Sequence, residues 1–372
     1  LGAFAQGAPA CYVDGPDPRA EYEQFQEDIE RLEPHIEAAM NRVPAFGEVG
    51  IKNAYNGAIA YTPDGNPIIG PAWDRDNFWL SEGHSFGITA AGGAGWQLAE
   101  WIVEGEPTID MLGVEPRRFG DYATKQYLIE KNEEAYSHVF IIHYPDEERP
   151  AARPLRTAPC YERMKERGAV FGQKFGWERP NFFATDGMPQ EDDWSFRRSR
   201  WFEAIRKEVA NTTENVGLLD MTAFAKCRIS GPGAEAFLDY LVANSLPKSV
   251  GGLSLAHALN TRGGVHSEFT IRRESGDSFY LVSAGALQRL DHDYIRTHVP
   301  KDGSVQFTPL TGAHGVLVLA GPNARRLLER VTAADLSNKA FRWLTAQDIV
   351  VGMAPVNAMR VNFVGELGWE LH

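Results

Sequence analysis

Residues 81–97, SEGHSFGITAAGGAGWQ, set five glycines (Gly83, Gly87, Gly92, Gly93 and Gly95) beside one histidine, with no lysine or arginine among them. Glycines at the start of a helix let backbone amides approach an electron-rich partner closely. The spacing is not that of a phosphate-binding loop. Ahead of the stretch, NFWLSEG alternates as an emerging strand does; behind it, GWQLAEWIVEGEP puts Ala94, Leu98, Trp101 and Ile102 on one helical face. The unit reads as strand, glycine loop and helix, and such a helix start offers unpaired amides and about half a positive charge. A ring that turns anionic on reduction, such as the pyrimidine edge of a flavin, would be held more tightly in its reduced form by those amides. The same glycines would also serve close helix-to-sheet packing, and spacing leaves both readings open.

Other chemistry-bearing residues read more plainly. His84, inside the stretch, could orient a carboxylate or adjust an amine's protonation, and a lone histidine in a Gly/Ser loop equally serves structure. His138 and His143 stand in a strand-like run away from any cysteine, which is no metal pattern. Cys11, Cys160 and Cys227 are too scattered for a metal or redox pair and read as structural thiols of a reducing compartment. Arg117 and Arg118 read as surface ion pairs.

The elements that position these residues belong to a 372-residue chain, 43% hydrophobic and 11% aromatic, with core enough for about two or three domains. A net charge of −13 argues against a nucleic-acid backbone as partner. No apolar run reaches the roughly 18–20 residues of a membrane span; GVLVLAGP at 315–322 is strand-sized. Three textures follow one another, and the fold class is multidomain α+β and α/β. Residues 1–112 look like α/β material, with TPDGNPIIG at 62–70 as a hairpin signature. Residues 113–193 form a connecting region whose YPDEERPAARPLRTAP reads as an irregular surface loop. From Trp194 to His372 a separate α+β domain reads clearly: helix RWFEAIRKEVANT, strand FAKCRIS, the turn and helix GPGAEAFLDYLV, and paired strands GGVHSEFTIRR and DSFYLVSAG. The chain opens without methionine and stops in what reads as mid-strand, so it is expected to be part of something longer.

YTPDGNPIIGPAWDRDNFWLSEGHSFGITAAGGAGWQLAEWIVEGEPTIDM, followed by RRFGDY, resembles the C-terminal end of the flavin domain in the dimethylglycine and sarcosine dehydrogenase family of FAD-binding amine oxidoreductases. The resemblance implies that the loop passes over the isoalloxazine ring, with Gly87, Ile88, Thr89, Gly92, Gly93 and Gly95 binding the cofactor and His84 a catalytic candidate beside it. The Gly-x-Gly-x-x-Gly turn that cradles a dinucleotide's pyrophosphate, and the ribose-binding acid about 20 residues beyond it, appear nowhere in the chain. Family members carry that turn, and a histidine bonded covalently to FAD, near their N-terminus. Residues 1–112 are therefore expected to be the C-terminal part of the FAD domain.

SRWFEAIRKEVANTTENVGLLDMTAFAKCRISGPGAEAFLDYLVAN, LNTRGGVHSEFTIRR, GVLVLAGPNARRLLERVT and VNFVGELGWELH, in that order, resemble the folate-binding aminomethyltransferase domain of the glycine cleavage system, here expected to be truncated at its C-terminus. In that family the second acid of Gly-Glu-x-Gly-x-Glu grips the pterin edge, which maps to Glu370. A pterin presents an amide and an amino group along one edge, and a carboxylate accepts both more strongly than a neutral group does. Glu366, the first acid, also serves simple turn geometry. The acid closing Gly-Gly-x-x-x-(Asp or Glu) lies near the folate nitrogens that take up the one-carbon unit, which maps to Glu268. Glycine-cleavage enzymes have aspartate there, whereas glutamate occurs in dimethylglycine dehydrogenases. Phe363 replaces a common tyrosine, so one hydroxyl contact to folate is missing.

The two resemblances imply FAD-dependent oxidative demethylation of a small N-methyl amine, such as dimethylglycine or sarcosine, with the one-carbon unit passed to tetrahydrofolate. Glu268 would act as acid/base or electrostatic partner, and electrons would leave to an electron-transfer flavoprotein or oxygen. No nucleic acid or membrane takes part, and the compartment would be the cytoplasm, or the mitochondrial matrix in a eukaryote. Two alternatives share the resemblance: an inactive regulator like the regulatory subunit of pyruvate dehydrogenase phosphatase, and a folate-dependent demethylase.

Overall fold

Residues 2–185, 187–361 and 363–372 are described in the computed structural model, and the chain divides into two units, Leu1–Arg153 and Pro154–His372. The stretch 113–193 is thus shared between the two units. In the first, Asp28 accepts the Arg31 amide at 3.0 Å and so starts α1 (Ile29–Arg42). β1 (Ile68–Pro71) and β2 (Trp79–Glu82) pair antiparallel, followed by α2 (Gly87–Glu104) and α3 (Lys125–Ser137). The hairpin connection is 72–78, closed by the Ala72 amide on Phe78 O at 2.9 Å. The Pro-Asp-Gly turn instead precedes β1, where Thr62 Oγ1 donates to Asn66 O at 2.7 Å. That hydroxyl captures the chain before it can pair.

Ala94, Leu98 and Trp101, at helical spacing, bury α2 against Ile69, Trp79 and Met111. Ile102, expected in that stripe, lies on its flank and is exposed. Gly70 has φ +137°, and a Cβ there would sit 2.8 Å from the Trp101 ring, so only glycine lets the strand and helix come this close. The run at 138–143 is a turn after α3 rather than a strand, with the Ile141 amide on His138 O at 3.1 Å.

The second unit contains α4 (Tyr161–Glu166), the hairpin β3 (Ala169–Lys174) and β4 (Trp177–Phe183), and α5 (Trp201–Glu214). Then follow β5 (Gly217–Asp220), β6 (Ala225–Ser230), α6 (Ala234–Leu241), β7 (Leu253–Leu259), β8 (Val265–Arg273), β9 (Ser278–Ser283), α7 (Gln288–His298) and β10 (Gln306–Pro309). β11 (Leu317–Ala320), α8 (Ala324–Leu328), β12 (Ala346–Val351), β13 (Ala354–Met359) and β14 (Gly368–Leu371) complete it. Two five-stranded antiparallel sheets result, ordered β10-β6-β9-β8-β7 and β12-β13-β14-β11-β5.

Strand alternation divides each sheet into two faces. On the first sheet, Ile229, Phe269, Ile271, Phe279 and Leu281 pack against Phe237 and Leu238 of α6 and Ile295 of α7. On the second, Leu319, Phe341 and Trp369 pack with Leu328 of α8. The other faces meet in a third cluster, where Leu253, Tyr280 and Val282 touch Ala346, Met359 and Val361. The functional side chains lie in this layer between the sheets.

Candidate functional site

Register decides which polar groups enter that layer. His257 pairs with Glu268, Arg272 and Arg228 flank Tyr280, and Lys226 pairs with Val282. Paired residues share a face, so Lys226, Arg228, Tyr280, Arg272, Glu268 and His257 all turn from the first sheet toward the second. Glu370 follows Trp369, which is buried on the α8 side, and so points back toward the first sheet.

Glu370 is 3% exposed. His372 Nε2 lies 3.2 Å from its Oε2, and among the described residues Oε1 has no hydrogen bond. His372 Nδ1 is 3.1 Å from the Tyr280 hydroxyl, which is 3.3 Å from His314 Nδ1. Burial pushes the His372 and His314 rings below the usual imidazole range and the Tyr280 phenol upward. Lys226, fully buried, donates to Thr222 O at 2.7 Å, and burial pushes its amine down to about 8, against the pull of Asp220.

Glu268 sits at the open end of the same face, its side chain 52% exposed, and accepts from His257 Nε2 at 3.0 Å. The Asn244 side chain steadies His257 by accepting its backbone amide at 2.9 Å. Four residues of β8 separate Glu268 from Arg272, opposite Tyr280, which is about 13 Å along the strand. The two acids therefore mark two points on one polar layer. A separate cavity of about 320 Å³, lined by Lys174, Trp177, Arg179 and Phe224 among others, includes neither acid.

In the first unit the glycine stretch is mostly helix. Gly87 opens α2, so Gly92, Gly93 and Gly95 lie within its turns rather than in a loop before it. A Cβ at any of these three would have no atom within 4 Å, so among the described residues they do not serve close packing. The first turn has no side-chain cap and no acid, Phe86 standing at the N-cap; Ile88 and Thr89 are exposed. An uncapped, glycine-sided helix start fits a flat ring that gains negative charge, and nothing in it resembles a pyrophosphate cradle. His84, half-buried in the turn before α2, contacts Ser81 Oγ through Nε2 at 3.1 Å, while its Nδ1 is buried without a partner.

One expectation needs correction. Arg117 and Arg118 are not surface pairs: Arg118 is buried, with Nε and Nη2 on the Asp64 carboxylate at 2.7 and 2.9 Å, and Arg117 pairs with buried Glu115. The turn at 62–66 folds over them and excludes water. His138 and His143 are spent on protein partners, Glu134 O and Arg149 Nη2, and no metal-holding group of side chains occurs among the described residues.

Residues 5–101 match the FAD dependent oxidoreductase family, 104–158 the FAD dependent oxidoreductase central domain, and 160–372 the GCVT N-terminal domain. The chain belongs to the GCVT family, joined to FAD-dependent oxidoreductase domains. Mitochondrial dimethylglycine dehydrogenase of Mus musculus is 38% identical over 94% of this chain and 40% of its own length. Mitochondrial sarcosine dehydrogenase of Homo sapiens is 32% identical over 94% of this chain and 42% of its own. The mitochondrial pyruvate dehydrogenase phosphatase regulatory subunit of Mus musculus is 28% identical over 100% of this chain and 43% of its own. The chain thus spans about two-fifths of these relatives. Within the GCVT domain, His257, Tyr280, His372 and Lys226 join the expected acids. Alternation in LSLAHAL marks a face for His257, but its pairing with Glu268 depends on cross-strand register. No helix among the described residues is long and apolar enough to cross a membrane.

Proposed function

We propose that this chain contributes the folate-binding part and one wall of the flavin site to an oxidoreductase that demethylates a small N-methyl amine and passes the one-carbon unit to tetrahydrofolate. The observation that carries this is Glu370, a carboxylate buried between two sheets with one oxygen free of hydrogen bonds among the described residues. A buried acceptor with spare lone pairs suits a ligand edge of paired N–H donors. Glu370 binds and orients the pterin. Glu268, at the open end with His257 on its carboxylate, exchanges a proton with the folate nitrogen during capture. FAD, when bound, accepts hydride from the N-methyl carbon. At its ring the amides of Gly87, Ile88 and Thr89 would face the developing charge and the bare flanks of Gly92, Gly93 and Gly95 would leave room, with His84 in the turn before them as the candidate to orient the amine.

The names of the relatives support dimethylglycine or sarcosine as substrate and a mitochondrial location in a eukaryote, or the cytoplasm otherwise; electrons pass to a flavoprotein or to oxygen. The match to a regulatory subunit across the whole chain favours a second, non-enzymatic reading. Anaerobic titration of tetrahydrofolate separates them. Glu370→Gln should weaken binding by about ten- to a hundredfold, the worth of a charged hydrogen bond, and Glu268→Gln should change it little. A full-length wild-type protein that neither reduces flavin nor binds folate would favour the regulator.

A further inference from the structure

The chain Glu370–His372–Tyr280–His314 is continuous, buried from Glu370 to Tyr280 and half-buried at His314, and elementary donor and acceptor rules fix its direction. A carboxylate only accepts, so His372 Nε2, 3.2 Å away, must carry the proton there. Burial holds that ring in its neutral form, so Nδ1 is bare and accepts the Tyr280 O–H at 3.1 Å. The Tyr280 oxygen is then left to accept Nδ1–H from His314 at 3.3 Å, with the two rings stacked at 5.7 Å. Lys226 and Arg272 also act electrostatically on His372, and both disfavour its protonation, whereas Glu370 favours it.

Three elements meet in this chain. Glu370 and His372 belong to β14 and the residue beyond it, Tyr280 to β9, and His314 to the loop between β10 and β11. Neither histidine lines the cavity described above, and burying polar side chains between two sheets is destabilising unless each finds a partner. The arrangement turns a tautomer into a positional constraint: Nε2–H is directed at Oε2, and Oε1 is left for a ligand.

We propose that His372 is a positioning residue for the Glu370 carboxylate, held in its Nε2–H tautomer by that carboxylate and fixed in orientation by the Tyr280 hydroxyl on Nδ1, and that Tyr280 and His314 thereby act on folate affinity without touching folate. The proposal rests on the reading of Glu370 as the folate acceptor. Removing the Tyr280 hydroxyl leaves the Nδ1 lone pair buried without its donor and frees the ring to turn away from the carboxylate.

Two measurements on the 372-residue chain test this. In ¹⁵N-histidine protein, the imidazole spectrum should show His372, assigned by loss of its signals in His372→Gln, as a single Nε2–H tautomer, and Tyr280→Phe should shift its Nδ1 resonance as the accepted hydrogen bond is lost. An Nδ1–H form in the wild type, or an Nδ1 resonance unmoved by Tyr280→Phe, overturns the proposal. In tetrahydrofolate titrations, Tyr280→Phe should weaken binding by about three- to tenfold, the range of one hydrogen bond. His372→Gln, whose side-chain amide can donate to Glu370 without help from Tyr280, should bind nearly as wild type, and adding Tyr280→Phe to it should have no further effect. Equal losses on Tyr280→Phe in both backgrounds would overturn the positioning role. If the Nδ1 resonance shifts while neither Tyr280→Phe nor Glu370→Gln alters folate binding, the hydrogen-bonded chain stands and the reading of Glu370 fails.

Discussion

Asp291 of α7 offers a quantitative check on the buried layer beneath β8 and β9. It is almost wholly inaccessible, and its Oδ1 accepts the Ser267 hydroxyl at 2.7 Å. Burial pushes its carboxyl up to about 6 from 3.8, against the hydrogen bonds of Ser283 and Ser267. The folded state therefore holds this proton more tightly than the unfolded state. The stabilisation it gives is complete below the unfolded value and is lost as pH rises through about 6. Between pH 4.5 and 7.5 the loss is about 2 kcal/mol for a shift of this size. Asp291→Asn keeps an acceptor for Ser267 and cannot ionise, so that loss disappears. Amide hydrogen exchange in β8 and β9 reads the opening free energy of this sheet directly. The variant should gain about 2 kcal/mol relative to wild type on going from pH 4.5 to 7.5, whatever its offset at either pH. Parallel pH dependence of the two proteins would refute the reasoning.

Three further outcomes follow from single contacts. Lys226, its amine lowered to about 8 by burial, binds a proton more weakly when folded, so stability should rise with pH between about 8 and 10.5; Lys226→Met should abolish that rise, worth about 2 kcal/mol from pH 7.5 to 9.5 in urea titrations. Gly70→Ala, at φ +137° and against Trp101, should destabilise the first unit by about 2 kcal/mol or more and alter its near-ultraviolet circular dichroism. Arg118→Lys cannot reproduce the two-pronged contact to Asp64 and should lower the thermal midpoint of the same unit, with a cost of about 2 kcal/mol. An unchanged midpoint in either variant would show that the contact is dispensable.

Local periodicity carried much of the fold. The 3.6-residue spacing of Ala94, Leu98 and Trp101 announces α2, and alternation announces β6, β8 and β9, because each pattern states which face is buried. The start of α2 was harder to read: glycines weigh against helix locally, but packing of Ala94 and Trp101 draws Gly92, Gly93 and Gly95 into it. The hairpin at 62–71 misled for a related reason, since the Thr62 hydroxyl closes the turn locally. Glu268 and Glu370 stand in motifs that are legible in the sequence, but their surroundings are not. His257 meets Glu268 only through β7–β8 register, and Tyr280 meets His372 only where two sheets pack, 92 residues apart in sequence. Arg118 likewise reads as solvated until the turn at Asp64, 54 residues earlier, folds over it. Contacts of that sequence separation leave no periodic trace.

The central claim is that Glu268 serves one-carbon capture and not amine oxidation. It is tested most directly in the flavin-loaded protein with Glu268→Gln, by stopped-flow recording of flavin reduction beside an assay of products. Its half-exposed pair with His257 contributes little to stability, so the variant should fold normally. The account predicts unchanged flavin reduction by the amine, methylenetetrahydrofolate formation slowed by about ten- to a hundredfold, and a matching rise in free formaldehyde. Loss of flavin reduction in Glu268→Gln, or product formation equal to wild type, would contradict it.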